Sequence, residues 1–234
     1  MRWTTETAAT SGSARGNGRS GRPPREELTL DGWVADADAL RAHLGVERVA
    51  VLGHSFGGCI GLEYALRFPS RVSHLLLVDT APALDYWDEV AANIDRRRPP
   101  AAVRAAWESP PADDAGLADW LAAVAPLYVH PASDPALLAP LMSRTMFDHV
   151  AWARSVEVFN RDYDATDRLA EVRAPTLIVV GREDFICPPS RAAVMRERIP
   201  GAELAVFERS GHFPFAEEPD AFIGVVRDWL RRVA

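Results

Sequence analysis

Residues 53–58 read Gly53-His54-Ser55-Phe56-Gly57-Gly58, a G-x-S-x-G pattern with one further glycine. A serine hydroxyl is a weak nucleophile until a base takes its proton, so Ser55 can do chemistry only if a histidine reaches it. Six histidines are available. His54 adjoins the serine but points elsewhere from a tight turn, and His43 lies near the end of a helical run. His74 opens a strand at the wrong end of a sheet, and His130 and His149 fall in a proline-rich middle region. His212, in Ser210-Gly211-His212-Phe213-Pro214, directly follows the last apolar strand and is the preferred base. An imidazole used this way needs a carboxylate to fix its tautomer and stabilise the imidazolium. Asp184, in Gly181-Arg182-Glu183-Asp184, is preferred; Asp79, one strand nearer the serine, and Glu183 are the alternatives. The backbone N–H of Phe56, at a helix start, would point at the oxyanion of a tetrahedral intermediate. Two-step acyl transfer from an ester, lactone or amide is the chemistry these groups allow.

The elements around them are those that such a site requires. Val49-Ala50-Val51-Leu52 is short, continuous and apolar, as expected of a buried strand, and residues 59–68 form a helix stopped by Pro69. Strands follow at residues 75–78, 176–180 and 203–207, with helices over residues 190–198 and after Pro219. The last helix aligns Phe222, Val226, Trp229, Leu230 and Val233 on one face. Glu217 and Glu218 at its start and Arg231 and Arg232 at its end complement the helix dipole. Before the first strand, Thr29 caps a helix whose stripe is Leu30, Trp33, Ala37, Leu40 and Leu44, ended by Gly45. Repeated strand–helix units imply an α/β fold with a mostly parallel sheet flanked by helices, whose sites lie at strand C-termini. The core comprises residues 26–81 and 166–234. Residues 82–165, with prolines at 99, 100, 110, 111, 126, 131, 135 and 140, form an inserted helical cap. Residues 1–25, rich in Thr, Ser, Gly and Arg, have little to bury and are expected to be loose.

Composition narrows the class. The chain has 234 residues, 48% apolar and 25% charged, enough for one sizeable α/β domain with an insertion. A net charge of −7 disfavours nucleic acid as a partner. No apolar run approaches the ~18–20 residues of a membrane span. The two cysteines, Cys59 and Cys187, cannot make a disulfide framework or a four-ligand zinc site, and both are expected to pack as small core residues. No His/Asp/Glu cluster has metal-ligand spacing. The expectation is a cytoplasmic enzyme without metal or cofactor, acting on a small molecule or short peptide, with no nucleic-acid or membrane partner.

The order Ser55, Asp184, His212 and the segments that carry it resemble the α/β-hydrolase superfamily. Gly53-His54-Ser55-Phe56-Gly57-Gly58, Pro175-Thr176-Leu177 leading into Gly181-Arg182-Glu183-Asp184, and Ser210-Gly211-His212 followed by Glu218-Pro219 all match. The resemblance covers residues 14–234 and is nearest the proline iminopeptidase-like and small esterase or lactonase branches. Ala14-Arg15-Gly16-Asn17-Gly18-Arg19-Ser20 resembles the family's D-x-R-G-x-G-x-S loop, with Ser13 in place of its aspartate. That registration implies several earlier strands, one of which carries the second oxyanion donor, where this chain has only Met1 to Gly12. The first strands are thus expected to be missing, leaving the strand over residues 49–52 with an open apolar edge and the enzyme weakened. Loss of one oxyanion donor costs about 10²–10³ in kcat. A hydrolase-fold binding protein without catalysis is the corresponding alternative.

The resemblance also speaks to substrate. Proline iminopeptidases hold the substrate's free amine with acids in the cap and just after the triad aspartate. Here Phe185 stands at the latter position and Glu157 is the candidate in the cap. Phe185 favours an uncharged acyl group, and Trp152, with Trp107 and Trp120, is a candidate for an apolar pocket. Ester or lactone hydrolysis is therefore ranked above aminopeptidase activity.

Overall fold

A computed structural model describes residues 20–233. The segment over residues 14–19 that resembles the family loop, and most of the expected loose N-terminus, lie outside the described residues. Within residues 20–25, Arg22 and Arg25 form ion pairs with Asp148 and Glu157.

Among the described residues four parallel strands, β1 (Val49–His54), β2 (Val72–Val78), β3 (Thr176–Gly181) and β4 (Glu203–Phe207), form one sheet in the order β1-β2-β3-β4. Alternation along the central strands assigns each side chain to a face. Leu75, Leu77, Ile178 and Val180 pack with α1 (Leu30–His43), α2 (Phe56–Arg67) and α8 (Pro189–Arg198). Leu76, Val78, Leu177 and Val179 meet Phe222 and Trp229 of α10 (Pro219–Val233), which follows the short α9 (Pro214–Glu217), on the other. Helix α2 is buried on nearly every side, and its one buried carboxylate, Glu63, is neutralised by Arg67 and Arg168, each at 3.0 Å. Thr29 caps α1 as expected, its Oγ1 accepting from the Gly32 N–H.

Between β2 and β3 the chain builds α3 (Trp87–Arg97), α4 (Ala101–Trp107), α5 (Asp114–Tyr128), the short α6 (Ala139–Met142) and α7 (His149–Asp162). They enclose a separate apolar cluster that includes Tyr86, Val90, Ile94, Val124, Leu127 and Phe185. The outgoing and returning connections run side by side, with the Ala165 N–H donating to the Pro82 carbonyl.

Among the described residues β1 has no neighbour on its outer side. The α1 stripe therefore runs past the sheet, and Leu44, expected in the core, is 47% exposed. Trp33, Leu40, Val51, Ile60 and Tyr64 line an open groove along this edge, which reaches Gly57 at the start of α2.

Candidate active site

The strand ends are in register, and successive ladder bonds carry three loops onto one rim. Ser55 N–H donates to Val78 O, Asp79 N–H to Val179 O, and Arg182 N–H to Phe207 O. Ser55 follows β1 with φ 52° and ψ −123°, a left-handed backbone that a non-glycine residue adopts only at a cost of about 1–3 kcal/mol. The turn survives because its surroundings define it. The Ser55 carbonyl accepts from Gly58 N–H, Cys59 N–H and Thr80 Oγ1. A Cβ at Gly53 would stand 2.3 Å from the Gly57 carbonyl oxygen, so only glycine permits the strand and helix to approach so closely. The Phe56 ring packs edge-on against Trp33 and Phe159, and its N–H belongs to the first turn of α2, where helix amides lack internal acceptors.

His212 and Asp184 are buried and joined by a 2.8 Å bond from Nδ1 to Oδ2. The other oxygen of Asp184 accepts from the amides of Ile186 and Cys187, at 3.0 Å each. Burial opposes the Asp184 anion. Facing His212, its hydrogen bond and the two amides more than offset this, holding the carboxyl below the ordinary aspartate range. Asp79 and Glu183, the alternatives, do not partner the imidazole. Asp79 accepts from the Gly181 N–H, and Glu183 N–H donates to the Ser210 carbonyl.

His54 does more than the sequence suggests. Its Nε2–H donates to the His212 carbonyl at 2.8 Å, and its ring packs on those of His212, Phe213 and Phe215. Burial first, and His212 second, pull its pKa down to about 3, so it remains a neutral donor. The serine turn and the histidine loop are thereby in direct contact, although among the described residues no hydrogen bond joins the Ser55 hydroxyl to the imidazole. Glu217 and Glu218 also act differently from the helix-dipole expectation. Glu217 accepts from Gly211 N–H at 2.7 Å, His130 N–H at 2.7 Å and Ser133 Oγ at 3.2 Å, while Glu218 accepts from Arg209 N–H and Ser210 Oγ. Both carboxylates grip the loop that carries His212; an acid pair five and six residues beyond a candidate base is the signal that could have revealed this.

The residues expected to bind substrate have the following surroundings. Phe185 is fully buried, edge-on to Trp107 and Tyr128, and braces the cap against the acid loop rather than presenting a surface. The Glu157 carboxylate is committed to Arg25, Arg154 and Arg161. Trp107, Trp120 and Trp152 form a ladder with ring centroids 5.7 and 5.5 Å apart, packing cap helices together. Donor atoms of Asp184, Cys187 and His212 lie within 4.8 Å of one another, a spacing not anticipated from sequence. Two of these groups are bonded to each other, and burial pushes the Cys187 thiol well up, so the arrangement is that of an orienting pair rather than an open metal cage. Cys59 is likewise buried, its thiol raised to about 11.

Comparisons with known proteins bear on the family and the fold. A family model described as the alpha/beta hydrolase fold matches residues 11–112. A proline iminopeptidase of Lactiplantibacillus plantarum is 30% identical over 230 residues, 92% of this chain and 79% of that protein. The protein belongs to the α/β-hydrolase family. A proline iminopeptidase of Clostridium botulinum is 28% identical, covering 93% of this hydrolase and 78% of its own length. Among solved structures, an esterase from Exiguobacterium antarcticum superposes with a TM-score of 0.75 at 26% identity, covering 93% of this chain and 79% of that one. No described helix of the hydrolase is long and apolar enough to cross a membrane.

Proposed function

We propose that the protein is a serine hydrolase that cleaves a small, uncharged ester or lactone through an acyl-enzyme. Ser55 Oγ attacks the carbonyl carbon while His212 Nε2 takes its proton; the Phe56 N–H donates to the oxyanion. His212 returns the proton to the leaving oxygen, and water then repeats the sequence to release the acid. Asp184 holds the Nδ1–H throughout. Every proton and electron pair comes from substrate, water and these side chains. The observation that carries the reading is the buried 2.8 Å bond between His212 and Asp184, on the rim where Ser55 sits in left-handed backbone.

A second reading, removal of an N-terminal proline, is favoured by the proline iminopeptidases among the relatives. It ranks lower because the cap acid considered for an amine, Glu157, already serves three arginines. The substrate would in either case be a small molecule or short peptide, met in the cytoplasm, where buried free thiols persist. A fluorophosphonate probe tests the shared chemistry. Ser55 should be the residue modified, and labelling should vanish in Ser55→Ala and fall steeply in His212→Ala. An unlabelled wild type, or modification elsewhere, would refute the assignment and leave the binding-protein alternative. A panel of p-nitrophenyl esters of graded length beside proline arylamides decides substrate, and strong preference for the arylamide would reverse the ranking.

A further inference from the structure

Asp79 is the buried carboxyl that this mechanism leaves unused. It is fully buried, follows β2 with φ 44°, and is the second residue on the rim held in left-handed backbone. Its Oδ1 accepts from the Gly181 N–H at 2.8 Å, which pins the carboxyl against the end of β3. Its Oδ2 has no hydrogen-bond partner, one of two such buried side-chain atoms among the described residues. The same Gly181 accepts through its carbonyl from the Asp184 N–H, so the turn after β3 brings Asp184 beside Asp79, and the Asp184 carboxylate acts on it by charge and within reach of a side-chain hydrogen bond. Asp184 is itself surrounded by donors: His212 on one oxygen, the amides of Ile186 and Cys187 on the other. Two ionised carboxylates cannot share one buried space cheaply, and an acceptor-only oxygen facing an acceptor stays unsatisfied. A proton on Oδ2 removes both costs at once, because the resulting O–H can donate to Asp184.

Resting on the serine-hydrolase reading above, we infer that Asp79 is a positioning residue kept as the neutral acid, donating a hydrogen bond from Oδ2 to the carboxylate that orients His212. The environment agrees. Burial, then the charge of Asp184, pushes the Asp79 carboxyl well up, while Asp184 is held down, and such divergence separates an acid from an anion in a carboxyl pair. The other titratable groups facing it are the Cys187 thiol, itself raised by burial and set against Tyr86, and the more distant Glu217 carboxylate. Neither of them supplies a positive charge that would ionise Asp79. The donated bond adds a further support to Asp184, fixing its orientation for the Nδ1–H and spreading its charge.

Linkage gives a test that does not need substrate. A group whose native pKa is raised stabilises the fold fully below its unfolded pKa and loses that contribution as pH rises through the native value. Asp79→Asn keeps an acceptor for Gly181 N–H and a donor for Asp184 but cannot ionise. Its Tm relative to wild type should therefore climb steadily as pH rises from about 4, near the unfolded aspartate pKa. The protonated-carboxyl stretch in the wild-type infrared spectrum should be missing from the variant. In kcat/KM profiles, wild type should fall at the alkaline end where Asp79 ionises, and Asp79→Asn should lack that fall. Asp79→Leu should lower kcat about 10–100-fold with KM little moved, the signature of a loosened Asp184. A Tm difference between Asn variant and wild type that is flat with pH, together with superimposable activity profiles, would overturn the inference and leave Asp79 a brace for Gly181. Fluorophosphonate labelling of wild-type Ser55 comes first. Its failure removes the hydrolase reading, whereas labelled wild type with flat Asp79→Asn behaviour removes only this inference.

Discussion

Replacing Glu217 by alanine probes how firmly the base is held. The carboxylate takes two backbone N–H groups at 2.7 Å, from Gly211 and His130, and the Ser133 hydroxyl at 3.2 Å. Hydrogen bonds to a charged group contribute about 1.5–3 kcal/mol each when desolvated. Gly211 is buried and its N–H would be stranded, whereas His130 and Ser133 are half-buried and can recover water. Together these give a loss of about 2–4 kcal/mol for Glu217→Ala. At about 2–4 °C per kcal/mol for a chain of this size, Tm should fall by roughly 5–15 °C. Gly211 immediately precedes His212, so the imidazole should also lose its placement. Misplacement by about 1 Å costs up to about 10²-fold in rate, and kcat on a p-nitrophenyl ester should drop about 10–100-fold with little change in KM. Glu217→Gln keeps one acceptor oxygen and should fall between. Calorimetry and steady-state hydrolysis at one pH are the assays. An alanine variant with unaltered kcat and Tm would refute the clamp, and a lower Tm with intact kcat would reduce it to a fold brace.

Two further outcomes follow from the same geometry. Gly181→Ala would put a Cβ 1.8 Å from the Gly211 carbonyl oxygen and 2.5 Å from that of Ser210, so the acid and histidine loops cannot both stay in place. Urea denaturation should show a loss of about 3 kcal/mol, and a midpoint close to wild type would contradict the close approach. Asp38 is pulled down to about 2, chiefly by its bond from Arg41, with Arg71 and Tyr64 adding to it against the opposing effect of burial. A depressed carboxyl stabilises above its unfolded pKa and ceases to do so as pH falls from about 4 towards its native value. After allowance for solvent screening the contribution is about 1 kcal/mol. Asp38→Asn should therefore lower Tm by a few degrees at neutral pH and match wild type near pH 2, and a gap that persists in acid would exclude this account.

Local chemistry in the sequence was enough to find the strands and the residues at their ends. Short apolar runs marked the four strands of the described residues; the central pair, β2 and β3, is continuously apolar over residues 75–78 and 177–180 because both its faces are buried. The motif around Ser55 was legible for a similar reason: Gly53 and Gly58 answer steric demands that only glycine meets. Strand ends ran differently, β1 extending to His54 and β2 beginning at Val72, since ladder bonds to a neighbour continue a strand past its apolar run. What sequence could not convey is which polar groups meet across loops. His54 is set aside as a base because it points elsewhere from the turn, and the partner it does find, the His212 carbonyl, lies 158 positions along the chain. The carboxylates of Glu217 and Glu218 were read against their own helix, although their bonds run back to the histidine loop and across to the cap. Phe185 fits an apolar pocket by type, but its burial between Trp107 and Tyr128 depends on cap packing.

The same ladder sets how far the loop carrying His212 must travel to meet the turn at Ser55. Ser55 follows β1 and His212 follows β4, three strand positions away. At about 4.8 Å per strand that separation is about 14 Å. From Phe207 at the end of β4 the chain first turns, the Ser210 N–H donating to the Phe207 carbonyl, and the Ser210 carbonyl then accepts from the Glu183 N–H. The path of the loop is therefore set by backbone bonds to its own strand end and to the neighbouring loop. It crosses β3 on the way, where Gly181 and Gly211 allow the backbones to touch and Asp184 rises to meet Nδ1. It ends against β1, where His54 takes the His212 carbonyl. Each bond along that path is made to backbone or to a side chain fixed by backbone. The Ser55 turn and the His212 loop are thus positioned by the register of the strands and by backbone bonds between loops, and the carboxylates of Glu217 and Glu218 hold the His212 loop from its far side.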